Sequence, residues 1–194
     1  MARKSIDLIY STPSEWTETA LADFDHFLID HANCERKASA LAMSFVVRYP
    51  DKMKIIPGLI DLAKEELEHF AETYQLMRAR GLVLAKDEQD PYVNALLKHA
   101  RTGLRQRFID RMLISSIVES RGAERFGLVA AAHPELEIRS FYDRLYKAEL
   151  KHAHVFVKML LEYVDEDTVY SRLHELNKTE AEIVERLPWR AALH

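Results

Sequence analysis

Four long stretches of this chain set apolar residues three and four positions apart, and a glutamate breaks each stripe near its middle. That spacing gathers side chains on one face of an α-helix. The first stripe is Leu21, Phe24, Leu28, His31, Glu35, Ala38, Ala42 and Phe45, and the second is Leu59, Leu62, Glu66, His69, Thr73 and Leu76. The third runs Phe108, Met112, Ser115, Glu119, Gly122, Phe126 and Val129; the fourth runs Ile138, Tyr142, Leu145, Glu149, His152, Phe156 and Met159. A carboxylate buried without compensation is either strongly destabilising or driven to its neutral form. Four of them facing one core require cations among them.

The prolines at 13, 50, 57, 91, 134 and 188 punctuate the chain, and glycine is scarce at five residues. The pattern between them predicts helices over 14–49, with an irregularity near Asp23, and over 52–80, 104–132, 135–164 and 166–186. Proline disfavours helix in the residue before it, which ends the first helix at Tyr49. Gly81 is placed to cap the second. The connection 81–103 is long, with a short helix expected at 91–100. The fold class is therefore all-α: a four-helix bundle with a long connection between helices 2 and 3 and an additional C-terminal helix. Its 194 residues suit one domain, 1–194.

No run approaches the ~18 consecutive apolar residues of a membrane span, and the N-terminus lacks the apolar region of a secretory signal. The one cysteine, Cys34, excludes an internal disulfide and suits a reducing cytoplasm. A net charge of −4 argues against indiscriminate nucleic-acid binding and leaves room for a local basic patch.

The interrupting residues form a duplicated pattern. Glu35 is followed 31 residues later by Glu66 and then His69, and Glu119 is followed 30 residues later by Glu149 and then His152. Each Glu-x-x-His sets its two side chains one helical turn apart on one face. Glu35 stands 14 residues before Tyr49, and Glu66 stands 14 after Lys52. At a rise of ~1.5 Å per residue, both lie ~21 Å from the same turn and are level in an antiparallel pair. Glu119, 13 residues before Ala132, and Glu149, 14 after Glu135, match in the same way. One Glu from each of two helices and Glu-x-x-His from each of two others is the di-iron or di-manganese carboxylate arrangement. Carboxylates bridge two cations and balance their charge, and imidazole suits iron. Ala38, Ala42 and Gly122 leave space beside the glutamates.

With 19 glutamates and nine histidines, one Glu-x-x-His is within chance. Duplication, mid-stripe phase and matched level carry the assignment instead. Glu65, Glu68 and Glu72 belong to a solvated face, and Cys34 is off the stripe. His31, one turn before Glu35, fits either a residue behind the ligands or a core histidine. Tyr142 and Tyr74 are read as packing residues.

The same ligands serve oxygen activation, iron storage and peroxide removal. The stretches DHANCERKASALAMSFVVRYPDK, LAKEELEHFAETYQLMRARG, DPYVNALLKHAR, SIVESRGAERF and FYDRLYKAELKHAH narrow the choice. They closely resemble the tRNA 2-methylthio-isopentenyl-adenosine hydroxylases, a ferritin-like family, over about residues 12–163. The resemblance implies two non-haem irons on the six residues above and O2 as co-substrate. It also implies an external electron donor, and hydroxylation of the isopentenyl group of a modified adenosine beside the tRNA anticodon. The alternative is a ferritin-like ferroxidase or iron-storage protein. A peroxidase with an additional cysteine-ligated iron would need four cysteines. A tRNA substrate requires phosphate contacts, for which Lys98, Arg101, Arg105, Arg107 and Arg111 are the candidates, against one acid, Asp110. Lys98, Arg101 and Arg105 share a helical face provided Gly103 does not break the helix; Arg78, Arg80 and Lys86 extend the patch.

Overall fold

The computed structural model describes residues 7–86 and 88–194, which form seven helices, with no strand among the described residues. They are α1 (Ser14–Ala22), α2 (Phe24–Arg48), α3 (Ile56–Ala79), α4 (Pro91–Leu97), α5 (Leu104–Ala132), α6 (Leu136–Leu161) and α7 (Glu166–Arg186). No helix among the described residues is long and apolar enough to cross a membrane.

The helix ends follow from local chemistry. The irregularity expected near Asp23 is a full break: its backbone leaves the helical region, and its carboxylate accepts the His26 N–H at 3.3 Å, capping α2. α3 starts at Ile56 rather than at 52. The Lys52 and Ile55 N–H groups first turn back onto the carbonyls of Tyr49 and Lys52, at 3.0 and 3.1 Å. Pro57 then fills the opening turn, where its missing N–H is not needed. At the other end Gly81 adopts a φ of 72°, and its N–H reaches the Arg78 carbonyl at 3.0 Å. The Leu82 N–H reaches Met77 at 2.9 Å, completing the αL cap. α4 is shorter than expected. Asp90 caps it through the N–H groups of Tyr92 and Val93 at 2.8 and 3.2 Å. α5 stops before His133-Pro134, and Asp165 caps α7 through Thr168 N–H at 2.8 Å.

The chain divides into two compact units. The first, Glu18–Glu88 with Arg190–Leu193, contains the paired helices α2 and α3. Phe27, Leu28, Ala42, Phe45, Leu59, Leu62 and Met77 form its core. Ser39 Oγ donates to the Ala63 carbonyl at 2.7 Å and ties the two helices together. Arg80 pairs with Asp25 at 2.8 Å and lies over the Phe24 ring. Leu193 N–H donates to Asp30 Oδ2 at 2.7 Å.

The second unit, Met1–Thr17 with Gln89–Trp189 and His194, contains the α5–α6 pair, with α4 and α7 against α5. Phe108, Met112, Phe126, Tyr142, Leu145 and Phe156 fill its core. Ser116 Oγ donates to the Ala153 carbonyl at 2.8 Å, the counterpart of the Ser39 tie. Behind α5 lies a polar network that the stripes did not indicate. Arg121 and Glu180, both fully buried, pair at 2.8 Å, and the Tyr92 hydroxyl donates to Glu180 at 3.0 Å. Arg121 also donates to the Tyr10 carbonyl at 2.8 Å, to Thr12 Oγ1 at 3.0 Å and to Glu124. Burial opposes charge on Arg121, but Glu180 outweighs it and holds the guanidinium above its ordinary value. Arg125, over the Trp16 ring, is pushed down to about 10 by burial and by the charge of Arg121. Burial and the Glu180 charge push the Tyr92 phenol well up.

Candidate metal centre

The first unit gathers three of the expected ligands. α2 supplies Glu35; α3 supplies Glu66 and, one turn on, His69. Glu66 is 1 % exposed. His69 Nδ1 stands 3.5 Å from Glu66 Oε2 and 3.8 Å from Glu35 Oε2. Those separations are too long for hydrogen bonds. They are near the spacing of two donors that each approach one divalent first-row cation at ~2.0–2.2 Å. The other oxygen of Glu35, Oε1, is held by His31 Nε2 at 2.6 Å, and His31 is 0 % exposed. His31, one turn before Glu35, is thus bound to that carboxylate rather than packed only among apolar side chains.

In the second unit, α6 brings Glu149 and His152 together, both buried, with Oε2 and Nδ1 3.1 Å apart. Glu119 lies mid-α5, half-buried, in phase with buried Ser115, Gly122 and Phe126. The residue types fit iron: paired carboxylates to neutralise a divalent charge, and imidazoles as neutral donors. Each unit presents a Glu and a Glu-x-x-His, as the duplicated spacing requires.

The residues set aside at the sequence level behave as expected. Glu65, Glu68 and Glu72 are exposed. Tyr142 is buried against Phe126 and Phe141, and Tyr74 stacks on Phe70. Cys34 Sγ faces Asp30 at 3.8 Å.

The basic stretch is reorganised. Gly103 takes an extended backbone (φ −62°, ψ 142°) and starts α5, so Lys98, Arg101 and Arg105 do not share a helical face. Arg101 holds Asp110 through its own backbone N–H at 2.8 Å and through Nη2 at 2.7 Å. Arg172 of α7 grips the same carboxylate at 2.9 and 3.0 Å. Burial would raise the Asp110 carboxyl, but these two guanidiniums hold it below its usual range. Its signal in the sequence was a lone acid among five cations. Lys98, Arg105 and Arg107 are exposed and Arg111 is half-buried. Arg80, expected to extend the patch, pairs with Asp25 instead.

Residues 2–194 match the family model described as tRNA-(MS[2]IO[6]A)-hydroxylase (MiaE). A tRNA 2-(methylsulfanyl)-N(6)-isopentenyladenosine(37) hydroxylase of Pseudomonas putida is 32 % identical over 174 residues, 90 % of this chain and 84 % of the relative. The enzyme of that name from Salmonella typhimurium is 28 % identical over 131 residues, covering 68 % of this chain and 48 % of the relative. Among solved structures, Protein 43 with aldehyde deformylating oxygenase activity from Synechococcus superposes with a TM-score of 0.91. It is 32 % identical, and the match covers 96 % of this chain and 94 % of that one. This likeness makes the fold ferritin-like.

Proposed function

The chain belongs to the tRNA-(MS[2]IO[6]A)-hydroxylase family, and we propose that its two ligand sets form one di-iron centre that uses O2 to hydroxylate the modified base. As a family member it is a tRNA-modifying hydroxylase acting on the isopentenyl group of 2-methylthio-N6-isopentenyladenosine beside the anticodon. The observation that carries the metal reading is the pair of Glu-x-x-His motifs, Glu66–His69 and Glu149–His152, one in each unit, buried but for the half-buried His69.

In this reading Glu35, Glu66, His69, Glu119, Glu149 and His152 hold two irons, and residues 1–194 act as a single ferritin-like domain. Two ferrous ions in such a ligand set, when bound, supply the electrons that activate O2 for attack on an unactivated C–H bond. The carboxylates neutralise the metals' charge and the imidazoles orient them. Ala38 and Ala42 on α2 and Gly122 on α5 keep bulk away from the glutamates. An external donor returns electrons after each turnover. Lys98, Arg105, Arg107 and Arg111 are proposed to meet tRNA phosphates, with Arg101 acting from the fixed position that Asp110 gives it. A tRNA substrate supports a cytoplasmic location.

The test is reconstitution of the full chain with ferrous iron, O2, a chemical reductant and tRNA carrying the isopentenyl base, followed by nucleoside mass spectrometry. A hydroxylated nucleoside gaining one oxygen atom is expected. Iron-loaded protein that yields none would sink the reading. The Synechococcus relative's name favours a second reading, in which the same centre acts on an aldehyde. An aldehyde in place of tRNA, with formate as the readout, is the matching arm.

A further inference from the structure

His31 lies one turn before Glu35 on α2, 0 % exposed, with its ring 6.3 Å from that of Phe27 at 32°. An ionised carboxylate only accepts hydrogen bonds, so at 2.6 Å Nε2 carries the proton and donates it to Glu35 Oε1. The other oxygen, Oε2, faces His69 Nδ1 at 3.8 Å. One oxygen of Glu35 is held by His31 and the other faces His69. A glutamate side chain otherwise turns broadly about its last torsion, and the tie removes that freedom before any metal arrives.

The duplicated half offers a built-in control. One turn before Glu119 stands Ser115, whose Oγ donates back to the Arg111 carbonyl at 2.9 Å. The position equivalent to His31 therefore carries no imidazole and directs its donor at the helix backbone.

We propose that His31 is a positioning residue that fixes Glu35 for its metal. This rests on the reading of Glu35 as a ligand. Outer hydrogen-bond partners of metal ligands typically contribute 10–100-fold in affinity, and the effect here is confined to one of the two sites.

Anaerobic titration of the full chain with ferrous ion, competed by a chelator, reads two binding constants; Mössbauer spectra of the loaded protein read the two iron environments. His31→Leu should weaken one equivalent by roughly 10–100-fold and leave the other unchanged. His31→Gln, which restores a side-chain N–H, should recover most of that loss, and Ser115→Ala should move neither constant. His31→Met, also without an N–H, replaces the leucine variant should the latter fail to fold. Two unchanged constants in a folded His31→Leu or His31→Met protein overturn the proposal. So does an equal loss at both positions with a matching fall in the melting temperature of the metal-free protein, which marks a packing role. Glu35→Ala separates the levels. If it too retains two irons, the ligand assignment fails and takes the proposal with it. If Glu35→Ala loses iron while His31→Leu keeps both constants, only the positioning role fails.

Discussion

The α2–α3 and α5–α6 pairs carry the same ligand pattern, yet they are braced differently. The first pair braces a buried carboxylate from inside the helix face, through His31 on Glu35. The second is braced from behind, where Arg121 on α5 is locked by the segment at Tyr10–Thr12 and by Glu180 of α7, which Tyr92 of α4 holds in turn. The duplicated Glu-x-x-His pattern is thus accompanied by a different polar network in each half.

The sharpest way to break this contrast is Glu180→Leu. It leaves Arg121 charged and buried without its main partner, which should cost about 3–5 kcal/mol. Denaturant unfolding reads the loss, and adding Arg121→Met should recover most of it. A loss below about 1 kcal/mol would mean that the network braces nothing.

The next effect appears in acid. Burial pushes the Asp90 carboxyl up, but the hydrogen bond and charge of His194, with the N–H groups of Val93 and Tyr92, hold it at about 2. Because this value is depressed, the stabilisation is complete above the unfolded value near ~4 and is lost as pH falls from there toward about 2. The depression corresponds to about 2 kcal/mol. Asp90→Asn should therefore flatten the fall in melting temperature across that range. In the first half, Asp25 and Arg80 form a partly exposed pair, so Asp25→Asn should change stability by less than about 1 kcal/mol.

The smallest effect compares like with like. Ser116→Ala removes a fully buried helix-to-helix hydrogen bond and should cost about 1 kcal/mol. Ser39→Ala, at the half-buried counterpart, should cost less than about 1 kcal/mol. Equal losses in thermal unfolding would erase that distinction between the pairs.

Most of the fold was legible because the helix ends carry strong local signals. The expected limits of α5 and α7 match the observed ones, where His133-Pro134 and the Asp165 cap leave little choice. The start of α3 was missed because the turn between Tyr49 and Ile55 is built from backbone hydrogen bonds, which composition does not announce. The proposed ligands stand out as acids set in apolar stripes. Yet α7 carries the same signal, since Glu180 interrupts buried Val169, Leu173, Leu176 and Val184. There the compensating charge is Arg121, 59 residues away in sequence. An acid in a stripe therefore signals a buried positive charge, and only its repetition with histidine one turn on separates a metal from a guanidinium. The basic stretch misled for a related reason. Counting cations between 98 and 111 does not reveal that Asp110 is buried and engages one of them.

The hydrogen bond from Leu193 to Asp30 spans 163 residues and places Ala192 and Leu193, both buried, in the α2–α3 unit. During synthesis this unit therefore waits, with Glu35, Glu66 and His69 already made, while the whole α5–α6 unit emerges. At ~5–20 residues per second that interval is roughly 5–20 s. The half of the molecule that is translated first is the half that is finished last.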